Sequence, residues 1–263
     1  MPPSFQPMFL RNLFARMTGK EVALKGGLTT AGIVRVGSTV RRPVTEKSAF
    51  AHDLLRYLEN RGFDGVPRFL GIDDKGRAML TYIHGDVHRQ IGGFQKEQWV
   101  ACARRLRLFH DATADCELKG QCEVICHGDP GPPNFVFRDG LPFGLIDFDS
   151  AHPGRREADV GHAAWMWLHI GNHKLDPEEQ GSKLVDFVAA YDPAATWNPL
   201  ELVLQAQQRV LAKLPRGLSL KWSYVKTWAQ ACVHWTWHNR DGISAGIAMR
   251  SGNSPREHSV KRA

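Results

Sequence analysis

Oxygen-bearing side chains recur at the ends of apolar runs within residues 127–149. Asp129 and Asn134 follow the first of these runs, and Asp147 follows the last. Carboxylate and carboxamide oxygens are ligands that Mg²⁺ accepts, and a positioned carboxylate can orient or deprotonate a hydroxyl that attacks a phosphate. Taken singly, Asp129 and Asn134 also suit an ordinary loop or turn. Together, the three side chains predict Mg²⁺-assisted phosphoryl transfer.

A predicted hairpin explains how these side chains would meet. The dipeptide at 139–140, Asp-Gly between two short apolar runs, is typical of a two-residue β-hairpin. Because a hairpin returns the chain to its start, Asp147 is expected beside Asn134 and Asp129. We therefore predict Asn134 and Asp147 as metal ligands and Asp129 as the catalytic carboxylate. Asp149 is the nearest rival for the catalytic role, since it lies two positions beyond Asp147.

The elements before this segment are short strands and one main helix. Gly37 and Ser38 separate two alternating runs and so predict a tight hairpin, and apolar residues at helical spacing predict a helix that ends before Gly62. The predicted elements are a helix over 1–19, a glycine-containing loop over 26–32, strands over 33–36, 39–42, 68–72 and 78–83, and a helix over 47–61.

After residue 86 the pattern becomes mainly helical, over 98–112, 156–190 and 199–250, with breaks at prolines. The sequence therefore predicts an α+β fold. We expect residues 1–85 to form an N-terminal nucleotide-binding lobe with a small antiparallel sheet. Residues 86–250 would form a helical C-terminal lobe that carries the catalytic loop and the acceptor site, and 251–263 would form a flexible basic tail.

The motifs around the predicted hairpin also carry a family resemblance. The run from His127 to Asn134, H-G-D-x-x-x-x-N, and the I-D-F-D run at 146–149 resemble the aminoglycoside phosphotransferase and choline kinase superfamily. The resemblance implies a bilobal protein-kinase-like fold with ATP or GTP as the phosphoryl donor. Gly128 replaces the arginine of protein kinases, and no A-P-E run follows Asp149. These departures favour the small-molecule branch.

In the small lobe, the resemblance predicts a strand that presents a lysine to the phosphates. The corresponding run at 39–43, T-V-R-R-P, contains no lysine, so an arginine would take the cationic role. Alternation puts Val40 and Arg42 on one face, which makes Arg42 the first candidate and Arg41 the second. The alternative is that both arginines are solvated. At the position of the usual partner glutamate on the following helix the sequence has Ala51 or His52, so the ion pair is not assigned.

The resemblance assigns three further roles. His127 is expected to brace the loop backbone, and Asp159 to brace the catalytic loop from the start of a helix. The V-R-R-P, R-G-F-D-G-x-P-R and L-G-I-D segments are similar to a bacterial subgroup related to trifolitoxin-type immunity proteins, over residues 30–160. The lobe-connecting hinge, where backbone groups would bind the nucleobase, corresponds to Leu80, Thr81, Tyr82 and Ile83.

The acceptor is expected in the helical lobe, where an aromatic cluster stands out near the end of the chain. Some members would be core and others would line the acceptor pocket. A small-molecule or peptide antibiotic is the predicted partner, and the net charge of +7 weighs slightly against polycationic aminoglycosides. The cluster comprises Trp222, Tyr224, Trp228, His234, Trp235, Trp237 and His238.

Bulk properties restrict the remaining classes. The sequence of 263 residues has no apolar run of membrane-spanning length and no uncharged signal core, which predicts a cytoplasmic protein without a membrane partner. The five cysteines form no C-x-x-C pair and are interpreted as free thiols. Three hypotheses compete: a small-molecule kinase, a binding-only immunity protein that sequesters a toxic peptide, and a nucleic-acid-associated protein. The last lacks a concentrated basic face, so no nucleic acid is expected.

Overall fold

The structure is a computed structural model that describes residues 19–24, 32–214 and 220–252. The predicted helix over 1–19, the glycine-containing loop and most of the predicted tail lie outside these residues. Among the residues described, no helix combines the length and apolar character needed to cross a membrane.

The N-terminal part is a five-stranded antiparallel sheet. Its strands are β1 Val22–Ala23, β2 Val34–Val36, β3 Thr39–Pro43, β4 Phe69–Ile72 and β5 Arg77–Thr81. They lie side by side in the order β1-β2-β3-β5-β4. Gly37, with a φ of 59°, makes the tight β2–β3 turn that the sequence predicts. Strand β5 ends at Thr81 rather than at residue 83, so the predicted strand is too long.

One helix, α1 (Ser48–Asn60), packs against this sheet. Leu54 and Leu58 are fully buried, as their helical spacing predicts. Gly62 follows the helix with a φ of 68°, and its N–H donates to the carbonyl of Glu59. Such a left-handed residue closes the last turn, which is why glycine stops the helix here.

The rest of the described chain is mainly helical, with two small two-stranded sheets. The predicted helical stretch 199–250 is divided, because Asn239 lies between two helices in a non-helical conformation. The helices are α2 Lys96–Thr113, α3 Arg156–Leu168, α4 Pro177–Tyr191, α5 Pro199–Lys213, α6 Leu220–His238 and α7 Arg240–Arg250. The strands are β6 Val124–Cys126, β7 Phe135–Arg138, β8 Leu141–Leu145 and β9 His152–Gly154.

The helical part is built around α3, which buries Trp165 and Trp167 completely. Glycines let the neighbouring helices approach it and each other closely. A Cβ at Gly161 would collide with the backbone of α5, and one at Gly181 would collide with the backbone of α7. These helices therefore form a dense support behind the loop that follows β6. The small antiparallel sheet followed by a mainly helical part confirms the predicted α+β fold class.

Candidate active site

The β7–β8 hairpin brings the predicted metal ligands together. Asp139 and Gly140 both have positive φ, 52° and 78°, which is the turn geometry that the Asp-Gly pair predicts. Asn134 immediately precedes β7, and Ile146 immediately follows β8. The Ile146 N–H donates to the Asn134 carbonyl at 3.0 Å. This bond holds Asp147 beside the start of the hairpin.

Asn134 is oriented by Asp129. Its side-chain nitrogen Nδ2 donates to the Asp129 backbone carbonyl at 2.8 Å and to Asp129 Oδ2 at 3.0 Å. A carboxamide has two N–H donors and one acceptor oxygen. Because both donors face Asp129, Oδ1 of Asn134 is the atom left for a cation.

The Asp129 carboxylate is half-exposed and is contacted on both oxygens. Nε2 of His162, on α3, lies 3.3 Å from Oδ1. Withdrawal from water would raise the pKa of Asp129, but the contact with His162, the nearby His127 and the Asn134 hydrogen bond lower it below its ordinary value. The carboxylate is therefore ionised at neutral pH, as a group that accepts a hydroxyl proton must be.

Asp159, at the start of α3, holds the backbone of the loop that carries Asp129. It accepts the His127 N–H at 2.5 Å and the Gly128 N–H at 3.0 Å, and His110 Nε2 lies 3.2 Å away. Burial would raise the pKa of Asp159, yet its hydrogen bond with His110, the electrostatic influence of His110 and His127 and the Gly128 N–H lower it to about 2. This geometry matches the bracing role that the family resemblance implied.

Cys126 lies close to the same buried carboxylate. His110, Cys126 and Asp159 approach one another closely enough to suggest a metal site. Burial raises the pKa of the Cys126 thiol, which therefore stays protonated, and its sulfur donates to the Arg155 carbonyl. Because a metal needs the thiolate, this cluster is better explained as loop bracing and core packing.

His127 is fully buried and links the loop to the hairpin. Its Nε2 donates to the Ile146 carbonyl at 3.0 Å, and its Nδ1 lies 3.4 Å from the Asp129 N–H. The ring packs against Phe109 and Phe148. These contacts agree with the structural role predicted for His127, since both of its nitrogens face backbone groups.

Gly128 occupies a position that only glycine fits. Its φ is 83°, and a Cβ there would collide with the backbone carbonyl of Ser150. An arginine, as in protein kinases, could not be accommodated without moving the chain. The departure that favoured the small-molecule branch thus has a steric cause in this fold.

Asp147 is a left-handed residue, with a φ of 68° and a ψ of 62°, at the end of β8. Such a conformation is uncommon outside glycine and is found at functional sites. Arg42 Nη1 lies 3.2 Å from Asp147 Oδ1, and its Nη2 contacts Asp149 Oδ2. Burial and the neighbouring Asp147 raise the pKa of Asp149, whereas Arg42 lowers it. The net effect is a pKa above the ordinary value.

The structure brings Arg42, but not Arg41, to these carboxylates. Arg41 points to the other face of β3, where Nη1 donates to Thr39 Oγ1 at 2.5 Å and Nε lies 3.6 Å from Asp73. A cavity of about 530 Å³ adjoins Arg41 on that face and includes none of the predicted catalytic or metal-binding residues. Strand alternation had already favoured Arg42.

No glutamate of α1 pairs with Arg42. Ala51 and His52 occupy this part of the helix, and the His52 ring stacks on Phe69 at 3.9 Å. The partners of the Arg42 cation are instead Asp147 and Asp149. Sequence reasoning missed this pairing because the residues are far apart in the chain.

The predicted hinge is only partly available to a nucleobase. The Thr81 N–H donates to the Arg68 carbonyl, and the Tyr82 N–H donates to the Ser38 carbonyl. The Ile83 side chain packs beside Gly144 of β8. Leu80 is buried and lines a cavity of about 20 Å³ that also borders Arg42, Asp147 and Phe148. This volume has room for about one water molecule and none for a nucleotide, so a nucleotide could enter here only if the cleft opened.

The aromatic cluster divides into core and surface members. Trp228 stacks on buried Trp165 with ring centroids 5.2 Å apart, and Trp165 lies 6.0 Å from the His162 ring. Tyr224 and Trp237 are exposed. The side chain of Trp222 lies outside the described residues. The cluster therefore reaches the Asp129 region through Trp165 and His162.

His162 is a site residue that sequence reasoning missed. It follows Asp159 by three positions, so both side chains lie on one face of α3. That spacing was the signal that could have found it, given that Asp159 was expected to face the catalytic loop.

Comparisons with known proteins identify a matching family and a relative. Residues 117–203 match the model of the phosphotransferase enzyme family. The trifolitoxin immunity protein of Rhizobium leguminosarum bv. trifolii is 36% identical over 164 residues. That match spans 56% of this chain and 61% of the relative, which is less than two thirds of its length.

Solved structures share the fold at low sequence identity. ADP-bound aminoglycoside phosphotransferase APH(2'')-Ib is 13% identical with a TM-score of 0.54, covering 91% of this chain and 98% of its own. Spectinomycin phosphotransferase APH(9)-Ia is 12% identical with a TM-score of 0.53, covering 94% and 99%. A choline/ethanolamine kinase family protein from Mesorhizobium loti is 15% identical with a TM-score of 0.50, covering 89% and 95%. The resemblance inferred from the two motifs is thus confirmed: residues 117–203 match the phosphotransferase enzyme family, and the chain has the fold of the aminoglycoside and choline kinase-like phosphotransferases.

Proposed function

We propose that this protein is a Mg²⁺- and nucleotide-dependent phosphotransferase that acts on a hydroxyl of a small-molecule or peptide antibiotic, in resistance or self-immunity. The observation that carries the proposal is the hydrogen-bonded series Asp129–Asn134–Ile146, which sets Asp147 beside the loop carboxylate. The family match over residues 117–203 and the 36% identity to an immunity protein support the same function.

In this proposal the nucleotide lies between an N-terminal lobe of residues 1–85 and a C-terminal lobe of residues 86–250. ATP or GTP is the donor, which fits a cytoplasmic location. Arg42 moves from the carboxylates to the phosphates and takes the place of the lysine. Its guanidinium suits this role because it binds phosphate oxygens in a bidentate manner. Leu80 would contact the nucleobase, and the Ile83 backbone would provide the hinge contact, since the N–H groups of Thr81 and Tyr82 are engaged in the sheet.

The residues around the hairpin fit a Mg²⁺ ion. Asn134 keeps its amide oxygen because both amide N–H groups face Asp129, and Asp147 offers a carboxylate. Oxygen donors of this kind are what the ion prefers. When bound, Mg²⁺ would neutralise charge on the phosphate oxygens. Asp129 then orients the acceptor hydroxyl and receives its proton.

A second candidate function is binding without catalysis, in which the fold sequesters a peptide antibiotic. Two observations favour it. Arg42 pairs with both Asp147 and Asp149, and the cavity between them is about 20 Å³, so nucleotide binding must first break these contacts. The related immunity protein also leaves catalysis open, because its name states protection and no reaction.

The two functions differ in one experiment. Wild type, Asp129→Asn and the control Asp139→Asn are incubated with γ-labelled ATP, Mg²⁺ and, in turn, gentamicin, streptomycin, spectinomycin, choline and trifolitoxin. Asp139 is an exposed hairpin-turn residue at which asparagine is equally suited to a positive φ. We expect transfer by wild type and the control, and a loss of about 100-fold or more in Asp129→Asn.

The same three proteins are expressed in cells that trifolitoxin kills. Protection by wild type and Asp139→Asn but not by Asp129→Asn supports the enzyme. No transfer by wild type to any acceptor, together with equal protection by all three proteins, contradicts the enzyme and supports sequestration.

A further inference from the structure

The Asp129 carboxylate is held from two sides by different elements. Asn134 Nδ2 donates to Oδ2 at 3.0 Å, and His162 Nε2 lies 3.3 Å from Oδ1. Each carboxylate oxygen has more than one acceptor site, so both oxygens can still accept a hydroxyl proton. The two contacts restrict rotation of the carboxylate without occupying it.

His162 comes from the same helix face that holds the loop backbone. Asp159, three positions earlier on α3, accepts the N–H groups of His127 and Gly128. Helix α3 thus fixes the backbone just before Asp129 through one residue and the Asp129 side chain through another. A helix is a rigid support, and residues one turn apart keep their relative positions.

The imidazole ring is itself supported by packing. The His162 side chain is only 14% exposed. Its ring lies 6.0 Å from the ring of Trp165, which is fully buried and stacks on Trp228. The ring is thus largely withdrawn from solvent near a buried aromatic, with Nε2 3.3 Å from the Asp129 carboxylate. These surroundings limit rotation of the imidazole.

We infer that His162 is a positioning residue that fixes the Asp129 carboxylate for proton acceptance. The inference rests on the proposed phosphotransferase function and deepens it. In the transfer step, the acceptor oxygen bonds to the γ-phosphorus, and the bond from the γ-phosphorus to the bridging oxygen breaks, leaving its electron pair on the nucleoside diphosphate. The hydroxyl proton passes to Asp129. His162 takes no proton in this step; it sets the angle at which Asp129 meets the hydroxyl.

The test compares His162→Leu, His162→Gln and the control His173→Leu. Leucine fills the space without a donor, whereas glutamine places an N–H donor near the position of Nε2. His173 is an exposed histidine beyond the end of α3. Transfer from γ-labelled ATP to the best acceptor of the panel above is measured for each, with nucleotide affinity and the melting temperature recorded in parallel.

We expect His162→Leu to lower kcat by roughly tenfold to 100-fold, with little change in the acceptor KM or nucleotide affinity, because misplacement of a reacting group costs rate rather than binding. His162→Gln should recover most of the loss, and His173→Leu should match wild type. Wild-type kcat in His162→Leu, or equal losses in the leucine and glutamine variants, would overturn the inference.

A second readout needs no turnover. Long-range ¹H–¹⁵N spectra report which imidazole nitrogen carries the proton and whether it donates to a carboxylate. Asp129→Ala should shift the His162 Nε2 signal and leave the His173 signals in place. If wild type phosphorylates no acceptor, the proposed function fails, and the spectrum alone then tests whether His162 contacts Asp129. An unchanged His162 signal in Asp129→Ala overturns the inference.

Discussion

The brace at Asp159 gives the sharpest quantitative prediction. In Asp159→Asn the side chain keeps its size but loses its charge and one acceptor oxygen. The carboxylate accepts the N–H groups of His127, which is fully buried, and of Gly128, which is partly buried. With asparagine, one of these donors faces an NH₂ group and stays unpaired. A lost hydrogen bond to a buried charged group costs about 1.5–3 kcal/mol, so the variant should be about 1.5–3 kcal/mol less stable at pH 7.

The acid dependence of stability provides an independent measure of the same contact. The pKa of Asp159 is lowered from 3.8 to about 2, which corresponds to about 2 kcal/mol of folding free energy. For a depressed carboxyl pKa, this stability is present above the unfolded-state value and is lost as the pH falls toward the folded-state value. About half of it should be gone by pH 3. The difference in unfolding free energy between wild type and Asp159→Asn should therefore be smaller at pH 3 than at pH 7.

Urea denaturation at pH 7, 5 and 3 measures both quantities. The control is Asp176→Asn, because Asp176 caps α4 by accepting the Glu179 N–H, and asparagine caps a helix equally well. The control should stay within about 0.5 kcal/mol of wild type. If Asp159→Asn is as stable as the control at pH 7, or if its difference from wild type is the same at pH 7 and pH 3, the bracing argument is refuted.

Three further predictions concern the cleft and the loop. With Mg²⁺ present, ADP at about 100 times its dissociation constant should raise the melting temperature by about 5 to 10 °C. The same rise in melting temperature in excess chelator would contradict the assignment of Asn134 and Asp147 as metal ligands. In isothermal titration, Arg42→Met should weaken Mg·ATP binding tenfold or more, which is roughly the effect of losing one charged contact. Arg41→Met, on the other face of the sheet, should leave the Mg·ATP affinity unchanged. An equal loss of Mg·ATP affinity in the two variants would indicate that the substitutions damage the sheet. Gly128→Ala should lower the free energy of unfolding by at least about 2 kcal/mol more than Gly140→Ala does. Both glycines have a positive φ, but only a Cβ at Gly128 would collide with a backbone carbonyl. Equal urea midpoints for the two variants would exclude this collision.

Sequence reasoning was most reliable where the structure is local. The Asp-Gly turn at 139–140, the Gly37 turn and the Gly62 helix stop are set by residues only a few positions apart, so each could be read from its own segment. The meeting of Asn134 with Asp147 followed from that one hairpin turn. Strand alternation in β3 likewise separated Arg42 from Arg41.

The remaining features depend on contacts between distant segments. Arg42 and Asp149 are 107 positions apart, and no local pattern indicates that an arginine without a helix glutamate will pair with Asp147 and Asp149. His162 meets Asp129 only because α3 crosses behind the loop that carries Asp129. The hydrogen bonds of the Thr81 and Tyr82 N–H groups could not be read from their own segment either, since they depend on neighbouring strands and turns.

The bond from Asn134 Nδ2 to Asp129 Oδ2 has a consequence for mutational studies and for divergence of the site. The amide that would hold the metal is oriented by the carboxylate that would receive the proton. Replacing either residue therefore changes the geometry of the other, and the rate losses of the two single variants should not multiply in the double variant. Kinetic roles cannot be divided between them by single substitutions. If a descendant of this chain loses either metal binding or proton acceptance, the other residue no longer serves its role. Asp129 and Asn134 should therefore be retained or lost together.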